Sequence, residues 1–302
     1  MSDLRTDICG VALKNPVITA SGTFGFGREV DAYYPIEQLG AVAVKGLTLA
    51  PRRGNPPPRV AETPAGMLNS VGLQNPGVDA FIEEDLPWLA EKGVPVIANI
   101  NGTTIDEYCR VAEKLRDQPV QLIELNISCP NVKKGGANFG TDPKVIYEVV
   151  KAVKAESEQP LIVKLTPNVT NIVETAAAAC EGGADGLSLI NTLLGMAIDA
   201  RARKPILGNV VGGLSGPAIK PVALRMVWQV SRAVSVPIIG MGGIMTGEDA
   251  VEFLLAGAAA VMVGTATIAD PMAAMRIISE MDAFIENNGG GSIRDWVRAL
   301  LP

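Results

Sequence analysis

The stretch Glu124–Asn131, which has the sequence ELNISCPN, combines an apolar run with side chains that can do chemistry. Its apolar residues predict a buried strand, and Asn126, Ser128 and Cys129 occupy the end of that strand and the start of a polar loop. In α/β barrels, polar side chains at the carboxyl end of a strand face the ligand. A thiol has an ordinary pKa of about 8.5, so it can act as a general base where its site favours the thiolate. We therefore predict that Cys129 is the catalytic group.

The other three cysteines give no comparable pattern. A free cysteine is usually a small buried hydrophobe, and this interpretation suits Cys9, Cys109 and Cys180. The four cysteines form no CxxC pair, which argues against a zinc site or an iron–sulfur cluster held by this chain alone, and we predict no metal site. Because the chain has 0 histidines, proton transfer must use Cys, Asp, Glu, Lys, Tyr or water.

Two lysines interrupt apolar strands. Lys45 lies in VAVKG and Lys164 in LIVKL. A buried lysine without an anionic partner is strongly disfavoured, so each must meet either an electron-rich ligand or an acidic residue such as Glu124 in an internal ion pair. For the two lysines together, ligand contact at the mouth of a barrel is the favoured interpretation.

Glycine-rich turns follow the last two apolar runs. They are Gly240–Gly243 and Gly264-Thr265. Glycine lets backbone N–H groups approach an anion closely, and loops after the last two strands form the phosphate site of many barrels. The alternative is that these glycines only make tight turns, but two such loops in these places favour phosphate binding.

Several asparagines also fall at strand ends or in long loops. An amide offers both a donor and an acceptor, so several together suit a flat ring that carries alternating carbonyl and N–H groups. Any one of them could equally be a turn or cap residue, and only the set is informative. The set is Asn69, Asn99, Asn126, Asn131 and Asn191.

Composition sets the broad class. The chain has 302 residues, of which 48% are hydrophobic and 19% charged, as in a globular protein with a sizeable core. Its formal charge of −6, from 26 basic and 32 acidic residues, provides no field for nucleic acid or an anionic membrane. The sequence shows neither a signal pattern nor an apolar run of transmembrane length, so we expect a cytoplasmic location.

Short apolar runs alternate with segments of helical spacing along the chain. Eight buried strands separated by helices predict a parallel sheet covered on both faces, and eight strands close a TIM barrel. The rival, an open doubly wound sheet, lacks its GxGxxG fingerprint here. The predicted strands are Pro16–Ser21, Ala41–Gly46, Val94–Asn101, Leu122–Cys129, Leu161–Pro167, Gly186–Thr192, Pro237–Ile244 and Ala259–Ala266. The predicted helices are Val78–Lys92, Thr104–Arg116, Pro143–Glu156, Ile172–Glu181, Pro217–Val234 and Gly247–Ala256.

Three segments are too long for ordinary βα turns: Leu47–Leu73, Pro130–Asp142 and Leu193–Ser215. Each follows the carboxyl end of a predicted strand, and long loops in a compact domain are more often functional than idle. Before the first strand, Leu4–Leu13 is a candidate hairpin that plugs the opposite end of the barrel. We expect residues 1–302 to form a single domain.

At this point the residues resemble a known family, the class 1 dihydroorotate dehydrogenases, which are flavoproteins of pyrimidine synthesis. The SCPN cysteine resembles class 1, whereas class 2 enzymes carry serine there, and the NVKKGG continuation is most similar to class 1B catalytic subunits. The matching stretches cover essentially the whole chain in family order. They are SGTFGFG (Ser21–Gly27), VKGLT (Val44–Thr48), NSVGLQNPG (Asn69–Gly77), ELNISCPNVKKGG (Glu124–Gly136), VKLTPN (Val163–Asn168), LINT (Leu189–Thr192), GGLSGPAIKP (Gly212–Pro221), GMGGI (Gly240–Ile244) and MVGTA (Met262–Ala266).

The resemblance implies one FMN per chain, bound at the carboxyl-terminal mouth of a single FMN-binding barrel. It implies that the FMN-binding residues are Ser21, Lys45, Gly46, Asn99, Asn126, Lys164, Ile190, Gly216, Gly242, Gly243, Gly264 and Thr265. It implies that the substrate-binding residues are Lys45, Asn69, Ser70, Val71, Gly72, Leu73, Asn126, Asn191 and Thr192.

The resemblance also implies the reaction. Cys129 would remove the C5 proton of (S)-dihydroorotate while a hydride leaves C6 for FMN, which gives orotate in de novo UMP synthesis. Class 1B enzymes pair with a subunit that carries FAD and a [2Fe–2S] cluster and passes electrons to NAD⁺. The expected assembly is a heterotetramer built on a homodimer of catalytic chains.

Other readings stay open at this stage. A chain similar to dihydropyrimidine dehydrogenase and a fumarate-dependent class 1A enzyme are the nearest ones. More distant are a phosphate-binding barrel isomerase or synthase without flavin, and a non-catalytic barrel subunit that only binds a partner.

Overall fold

The computed structural model describes residues 2–128 and 139–301, and its strands and α-helices alternate along most of that length. The strands are β1 (Thr6–Ile8), β2 (Val11–Leu13), β3 (Val17–Thr19), β4 (Ala41–Ala43), β5 (Val60–Thr63), β6 (Gly66–Asn69), β7 (Val96–Ile100), β8 (Leu122–Asn126), β9 (Leu161–Lys164), β10 (Gly186–Leu189), β11 (Leu193–Met196), β12 (Ile198–Asp199), β13 (Lys204–Pro205), β14 (Val211–Ser215), β15 (Ile238–Met241) and β16 (Ala260–Val263). The α-helices are α1 (Arg28–Asp31), α2 (Val78–Ala80), α3 (Leu86–Lys92), α4 (Ile105–Leu115), α5 (Pro143–Glu156), α6 (Ile172–Glu181), α7 (Lys220–Ser231), α8 (Gly247–Ala256), α9 (Thr265–Ala269) and α10 (Ala273–Asn287). A π-helical turn, Phe81–Asp85, joins α2 to α3, and 3₁₀ turns lie at Ile36–Gln38, Pro217–Ile219 and Ile293–Trp296.

Eight parallel strands close into a barrel in the order β3, β4, β7, β8, β9, β10, β15, β16 and back to β3. Each corresponds to one of the eight predicted apolar runs, so the predicted TIM barrel is confirmed. All eight strands are buried along their whole length, because helices cover the outside and side chains fill the inside. Burial on both faces is why these strands are continuous apolar runs in the sequence.

Helices α5, α6 and α8 have the predicted bounds, whereas α7 begins at Lys220, after a 3₁₀ turn, and α9 and α10 correspond to no predicted helix. In α5 the buried residues Ile146, Val149, Val150 and Val153 recur at the three- and four-residue spacing that lines one face of a helix. The Asp142 side chain caps α5 by accepting a hydrogen bond from the Lys144 N–H. At the carboxyl ends, Gly93 and Gly257 terminate α3 and α8 in the left-handed conformation that glycine adopts readily.

The hairpin β1–β2 plugs the amino-terminal end of the barrel. Ile8 and Leu13 are 1% and 2% exposed and pack against the inward side chains Ile97, Leu122 and Ile162 of the barrel strands. This confirms the hairpin expected within Leu4–Leu13. The lower barrel is therefore a packed core, and only the opposite, carboxyl-terminal end is available for a ligand.

A second sheet lies at that carboxyl-terminal end. Its four antiparallel strands run in the order β11, β14, β6 and β5, and they come from two of the predicted long loops, Leu47–Leu73 and Leu193–Ser215. A short ladder, β12–β13, extends from the second loop. The sequence predicts these segments as loops of the active site but not as a sheet. The third long loop, Pro130–Asp142, falls largely outside the described residues. Within residues 2–128 and 139–301, no helix has the length and apolar character needed to cross a membrane.

Candidate functional site

A cavity opens at the carboxyl ends of the barrel strands, beneath the four-stranded sheet. It measures about 1220 Å³ when the open solvent at its mouth is included. Its place at the carboxyl ends of the barrel strands is where barrel proteins bind small-molecule ligands. Residues of both layers border it: Lys164 of β9 and Met241 of β15 below, and Val60 of β5 and Met67 of β6 above. The two sequence-distant loops therefore complete one site with the barrel.

Most of the predicted binding residues border this one cavity. Of the predicted FMN-binding set, those at the cavity wall are Ser21, Lys45, Asn126, Lys164, Ile190, Gly216, Gly242, Gly243, Gly264 and Thr265. Of the predicted substrate-binding set, those at the wall, in addition to Lys45 and Asn126, are Asn69, Val71, Gly72, Leu73, Asn191 and Thr192.

The sequence leaves open whether Lys164 contacts a ligand or forms an internal ion pair, and the structure allows both. Its side chain borders the cavity, and its Nζ lies 3.5 Å from Oε2 of Glu124, so it has both ligand access and an internal ion pair. The side chains of Lys164 and Glu124 are 6% and 0% exposed. The Ser188 hydroxyl donates to the other oxygen of Glu124 at 2.6 Å. A cationic group is thus fixed in the cavity floor.

Asn99 and Gly46 lie behind the cavity wall instead of on it. Asn99 is fully buried, donates a short hydrogen bond to Glu124, and accepts hydrogen bonds from Asn101 at 2.8 Å and from Asn126 at 3.4 Å. A Cβ on Gly46 would collide with the Asn101 and Asn99 side chains, so glycine is needed where these amides meet. Both residues support the wall at this position without bordering the space itself.

A series of side-chain hydrogen bonds links the residues that follow strands β8 and β10. The Ser128 hydroxyl donates to Asn126 Oδ1 at 2.8 Å, and Asn191 Nδ2 donates to the Ser128 hydroxyl at 2.7 Å. Tyr108 of α4 donates its hydroxyl to the backbone carbonyl of Asn126 at 2.9 Å. Three strand-end residues are therefore held in one arrangement, and Ser128 is the last described residue before Cys129.

Asn168 connects these hydrogen-bonded residues to the overlying sheet. Its side chain donates to the Thr192 carbonyl at 3.0 Å and accepts from the Leu194 N–H at 2.9 Å. The Thr192 N–H in turn donates to Asn191 Oδ1 at 2.8 Å. These bonds fix the turn that carries Asn191 and Thr192 between the barrel and β11.

The glycine-rich end of the cavity is closely packed. Gly243 has a φ of 80°, and a Cβ there would lie 2.8 Å from Lys220 Cβ and 2.9 Å from the Gly216 carbonyl oxygen. Opposite it, the Thr265 hydroxyl donates to the Ser215 hydroxyl at 2.8 Å. Small residues therefore bring two backbone loops close together at one end of the cavity, as a compact anionic group would require.

Ionic contacts anchor the loop that follows Gly243. Asp249 accepts from the backbone N–H groups of Met245 and Thr246 at 2.8 and 2.9 Å and from Lys220 Nζ at 2.6 Å. Burial acts to raise the pKa of Asp249, but these hydrogen bonds outweigh it and the pKa is lowered. Asp249 is therefore held as a carboxylate at neutral pH, and its charge fixes the loop at the start of α8.

Two predicted site residues remain to be placed. Ser70 is fully buried and does not border the cavity, and its hydroxyl finds no partner among the described residues. Cys129, the predicted catalytic residue, lies outside the described residues. Within residues 2–128 and 139–301, no group of three or more His, Cys, Asp or Glu side chains could hold a metal ion.

Several further residues at the cavity belong to neither predicted set. Gly22 and Thr23 border it directly after the first barrel strand, and Ser215 and Ile268 border it near the glycine loops. The strand-end position of Gly22 and Thr23 is a signal that the sequence offers. Ser188 and Asn168 give no such signal, because their roles depend on partners 64 and 24 residues away along the chain.

Comparisons with known proteins agree with this architecture. A family model described as dihydroorotate dehydrogenase matches residues 3–285. A protein of Alkaliphilus metalliredigens (strain QYMF) is 65% identical over 284 residues, which cover 94% of each chain. Its name is dihydroorotate dehydrogenase B (NAD(+)), catalytic subunit.

Two more relatives carry the same name. The protein of Alkaliphilus oremlandii (strain OhILAs) is 64% identical over 298 residues, which cover 99% of each chain. The protein of Geotalea uraniireducens (strain Rf4) is 58% identical over 300 residues, which cover 99% of this chain and 98% of the relative. The similarity therefore extends over both the barrel and the overlying sheet.

Proposed function

Because the chain belongs to the dihydroorotate dehydrogenase family and is most similar to its class 1B catalytic subunits, we propose that it oxidises (S)-dihydroorotate to orotate in pyrimidine synthesis. The structural observation that carries the proposal is the single cavity at the barrel mouth. Two lysines, a set of strand-end amides and two glycine loops, which the resemblance assigns to cofactor and substrate, all border it.

The cavity fits FMN in three respects. A Cβ built on Gly22 meets no atom within 4 Å, so the chain leaves open space beside its backbone there. The glycine loops at Gly243 and Gly264, with Thr265, suit a phosphate group. Lys164, a buried cation in the floor, suits a ring system that becomes more negative when it is reduced. We propose that these residues hold the cofactor.

When bound, FMN supplies the hydride acceptor for C6 of dihydroorotate. The chain supplies position and charge. Asn126 is held by its own bonds to Ser128 and Asn99, so its amide is presented to the cavity in a fixed orientation. Fixed donors need no reorganisation during the reaction, which is how preorganised sites lower barriers.

The substrate is proposed to lie on the side of the cavity nearest the overlying sheet. Asn69 at the end of β6 and the Asn191-Thr192 turn border that region, and Lys45 of the barrel reaches the same space. Amides can pair with the carbonyl and N–H groups of the pyrimidine ring, and a lysine can meet the carboxylate. A carboxylate contact would separate dihydroorotate from dihydrouracil.

Cys129 is proposed as the base that removes the C5 proton. The preceding residue, Ser128, lies at the cavity end of β8 and is tied to Asn126 and Asn191. This supports the proposal because a carbon acid loses its proton efficiently only to a base in a fixed place.

The electrons are proposed to leave through a second subunit that carries FAD and a [2Fe–2S] cluster and reduces NAD⁺. The names of the relatives, which contain both "NAD(+)" and "catalytic subunit", support a nicotinamide acceptor and a partner. We propose a cytoplasmic heterotetramer that contains two catalytic chains. Steady-state turnover of the isolated chain with fumarate, at a rate equal to that of the complex with NAD⁺, would point to class 1A instead.

Ligand binding tests the substrate assignment. Titration of the purified yellow chain with orotate should change the visible flavin spectrum and saturate, whereas uracil, which lacks the carboxylate, should bind at least about tenfold more weakly. Equal binding of uracil would favour an enzyme similar to dihydropyrimidine dehydrogenase. Protein that is colourless and takes up no FMN would favour a barrel isomerase or synthase.

A further inference from the structure

Glu124 is a fully buried carboxylate directly beneath the cavity. It lies on β8 with 0% exposure and receives three hydrogen-bond donors: Ser188 at one oxygen, and Asn99 and Lys164 at the other. The donors come from β7 and β9, which flank β8, and from β10 on the far side of β9, where Asn99 is in register with Glu124 and Ser188 with Lys164. Because both oxygens are held, the carboxylate cannot rotate away from Lys164.

The ion pair with Lys164 is longer than two partly exposed lysine–aspartate pairs elsewhere in the protein. The distance of 3.5 Å compares with 2.6 Å for Lys92–Asp31 and for Lys220–Asp249. Lys164 also borders the cavity. The ammonium therefore stands between a fixed carboxylate on one side and the ligand space on the other, and its remaining N–H groups can serve the ligand.

Stability alone does not account for this pair. Removing two charges from water is costly, and buried ion pairs can often be replaced by apolar residues without loss of stability. The same barrel interior holds Ile97, Leu122 and Ile162 in close packing, so apolar side chains fill the layer below. The position of Glu124 beneath Lys164 instead indicates a role in the electrostatic potential at the ligand site.

We infer that Glu124 is a positioning residue for the flavin, which acts through Lys164 to set how much positive charge the cavity floor presents. The inference rests on the proposed function, since it requires bound FMN. Ser188 and Asn99 hold the carboxylate, the carboxylate locates the ammonium, and its negative charge offsets part of the positive charge of the ammonium. Reduced flavin carries more negative charge than oxidised flavin, so this balance affects the midpoint potential.

The first test is the midpoint potential of bound FMN in Glu124→Gln, measured by anaerobic titration against a reference dye. Loss of the carboxylate leaves the charge of Lys164 less balanced, so reduced FMN should gain at least about tenfold in affinity relative to oxidised FMN. For a two-electron couple this ratio is an upward shift of about 30 mV. Glu124→Asp keeps the negative charge but moves it farther from Lys164. Its shift in midpoint potential should therefore be smaller than that of Glu124→Gln.

The second test is a double-mutant cycle with Lys164→Met. If Glu124 acts through Lys164, Glu124→Gln should shift the potential in the Lys164→Met background by less than a third of its shift in the unmutated chain. Equal shifts in both backgrounds, no shift, or a downward shift in the single variant would each overturn the inference. If Glu124→Gln does not retain FMN, Glu124→Asp takes its place in the same cycle, with at least a threefold change in relative affinity expected when Lys164 is present.

A matched control makes the same chemical change elsewhere. Glu107 is a carboxylate at the start of α4 that accepts from the Thr103 N–H and hydroxyl and does not border the cavity. Glu107→Gln should leave the potential unchanged. If the unmutated chain binds no FMN, both the proposed function and this inference fail, whereas FMN binding with an insensitive potential overturns this inference alone.

Discussion

Asn191 Nδ2 lies 2.7 Å from Ser128 Oγ, so the carboxyl end of the sixth barrel strand is hydrogen-bonded to that of the fourth. Asn191 also donates to the Ser128 carbonyl at 3.3 Å and accepts from the Thr192 N–H at 2.8 Å. One amide therefore orders both the strand end that precedes Cys129 and the turn that borders the proposed substrate region. It links Ser128, the residue before the proposed base, to the turn at the proposed substrate region.

Replacement of Asn191 should weaken substrate binding without loss of the cofactor. In Asn191→Ala we expect the dissociation constant for orotate to rise by about tenfold or more. Each hydrogen bond contributes on the order of 1 kcal/mol, and the substitution removes the bonds to Ser128 and to the Thr192 N–H at once. FMN should remain bound. Ser128→Ala, which breaks the same link but keeps the amide of Asn191, should give a smaller increase. Titration of the flavin spectrum with orotate measures both, and an unchanged constant in Asn191→Ala would contradict the proposed role.

Two glycines at the cavity should respond in opposite ways to a methyl group. Gly22 has a φ outside the left-handed region and open space beside it, so Gly22→Ala should leave the free energy of unfolding of the FMN-free chain unchanged or up to about 1 kcal/mol higher. Its methyl group enters the cavity, so the dissociation constant for FMN should rise by about tenfold. Fluorescence titration with FMN and urea unfolding measure the two effects.

Gly243→Ala provides the contrast. Gly243 has a φ of 80°, and an added Cβ would lie only 2.8 and 2.9 Å from atoms of Lys220 and Gly216. The substitution should therefore lower the free energy of unfolding by at least about 1 kcal/mol even without FMN. If Gly22→Ala binds FMN as tightly as the unmutated chain does, the cofactor does not occupy the space beside Gly22.

The ionic anchor at Asp249 gives the stability a defined pH dependence. The folded pKa of Asp249 is lowered below its ordinary value of 3.8, so its stabilisation is fully present above that value and is lost as the pH falls through the lower folded pKa. Asp249→Asn should lower the free energy of unfolding at pH 7 by on the order of 1 kcal/mol, and the difference should shrink as the pH falls below 3.8.

Urea unfolding of both chains across this pH range checks the expectation. Glu252→Gln is the control, because Glu252 contacts the same Lys220 at 2.9 Å but its side chain is 39% exposed. Such an exposed pair contributes about 0–1 kcal/mol, so Glu252→Gln should have the smaller effect at pH 7. A constant difference between Asp249→Asn and the unmutated chain at every pH would rule out the carboxylate as its source.

Cys129→Ser should separate cofactor binding from chemistry. Serine is a far weaker base than cysteine, so we expect FMN to stay bound while reduction by dihydroorotate slows by roughly 10²-fold or more near neutral pH. Cys180→Ser is the matched control, since Cys180 is a free, half-buried thiol at the end of α6 and should leave the rate unchanged. Anaerobic stopped-flow mixing gives both rates, and unmutated kinetics in Cys129→Ser would exclude this residue as the base.

The barrel could be predicted because its strands are buried on both faces. Each one, such as Val96–Ile100, is a short apolar run in the sequence, and the helices between them show one apolar face. The overlying sheet has no such signal. In Val211–Ser215 two glycines break any alternation, and the strand pairs with Gly66–Asn69 from a distant part of the chain. Helix Ala273–Asn287 has no counterpart among the predicted helices, although its buried residues recur at helical spacing.

In the site, too, some residues could be predicted from the sequence and others could not. Lys164 stands out because a charge interrupts an apolar strand, and Glu124 is the acidic partner that the sequence offers for it. The supporting bonds from Ser188 and Asn99 depend on how β7, β8 and β10 align across the barrel, which no local sequence pattern records. Resemblance to the family names the residues at the wall, but only the structure separates Asn126, which borders the cavity, from Asn99, which lies behind it.

Anaerobic titration of the FMN-loaded chain with (S)-dihydroorotate tests the central claim most directly. We expect the visible flavin absorbance to bleach at about one equivalent of dihydroorotate per chain, with one orotate formed for each flavin reduced and with no response to dihydrouracil. A flavin spectrum that stays oxidised at saturating dihydroorotate, in protein that demonstrably binds orotate, would contradict the account.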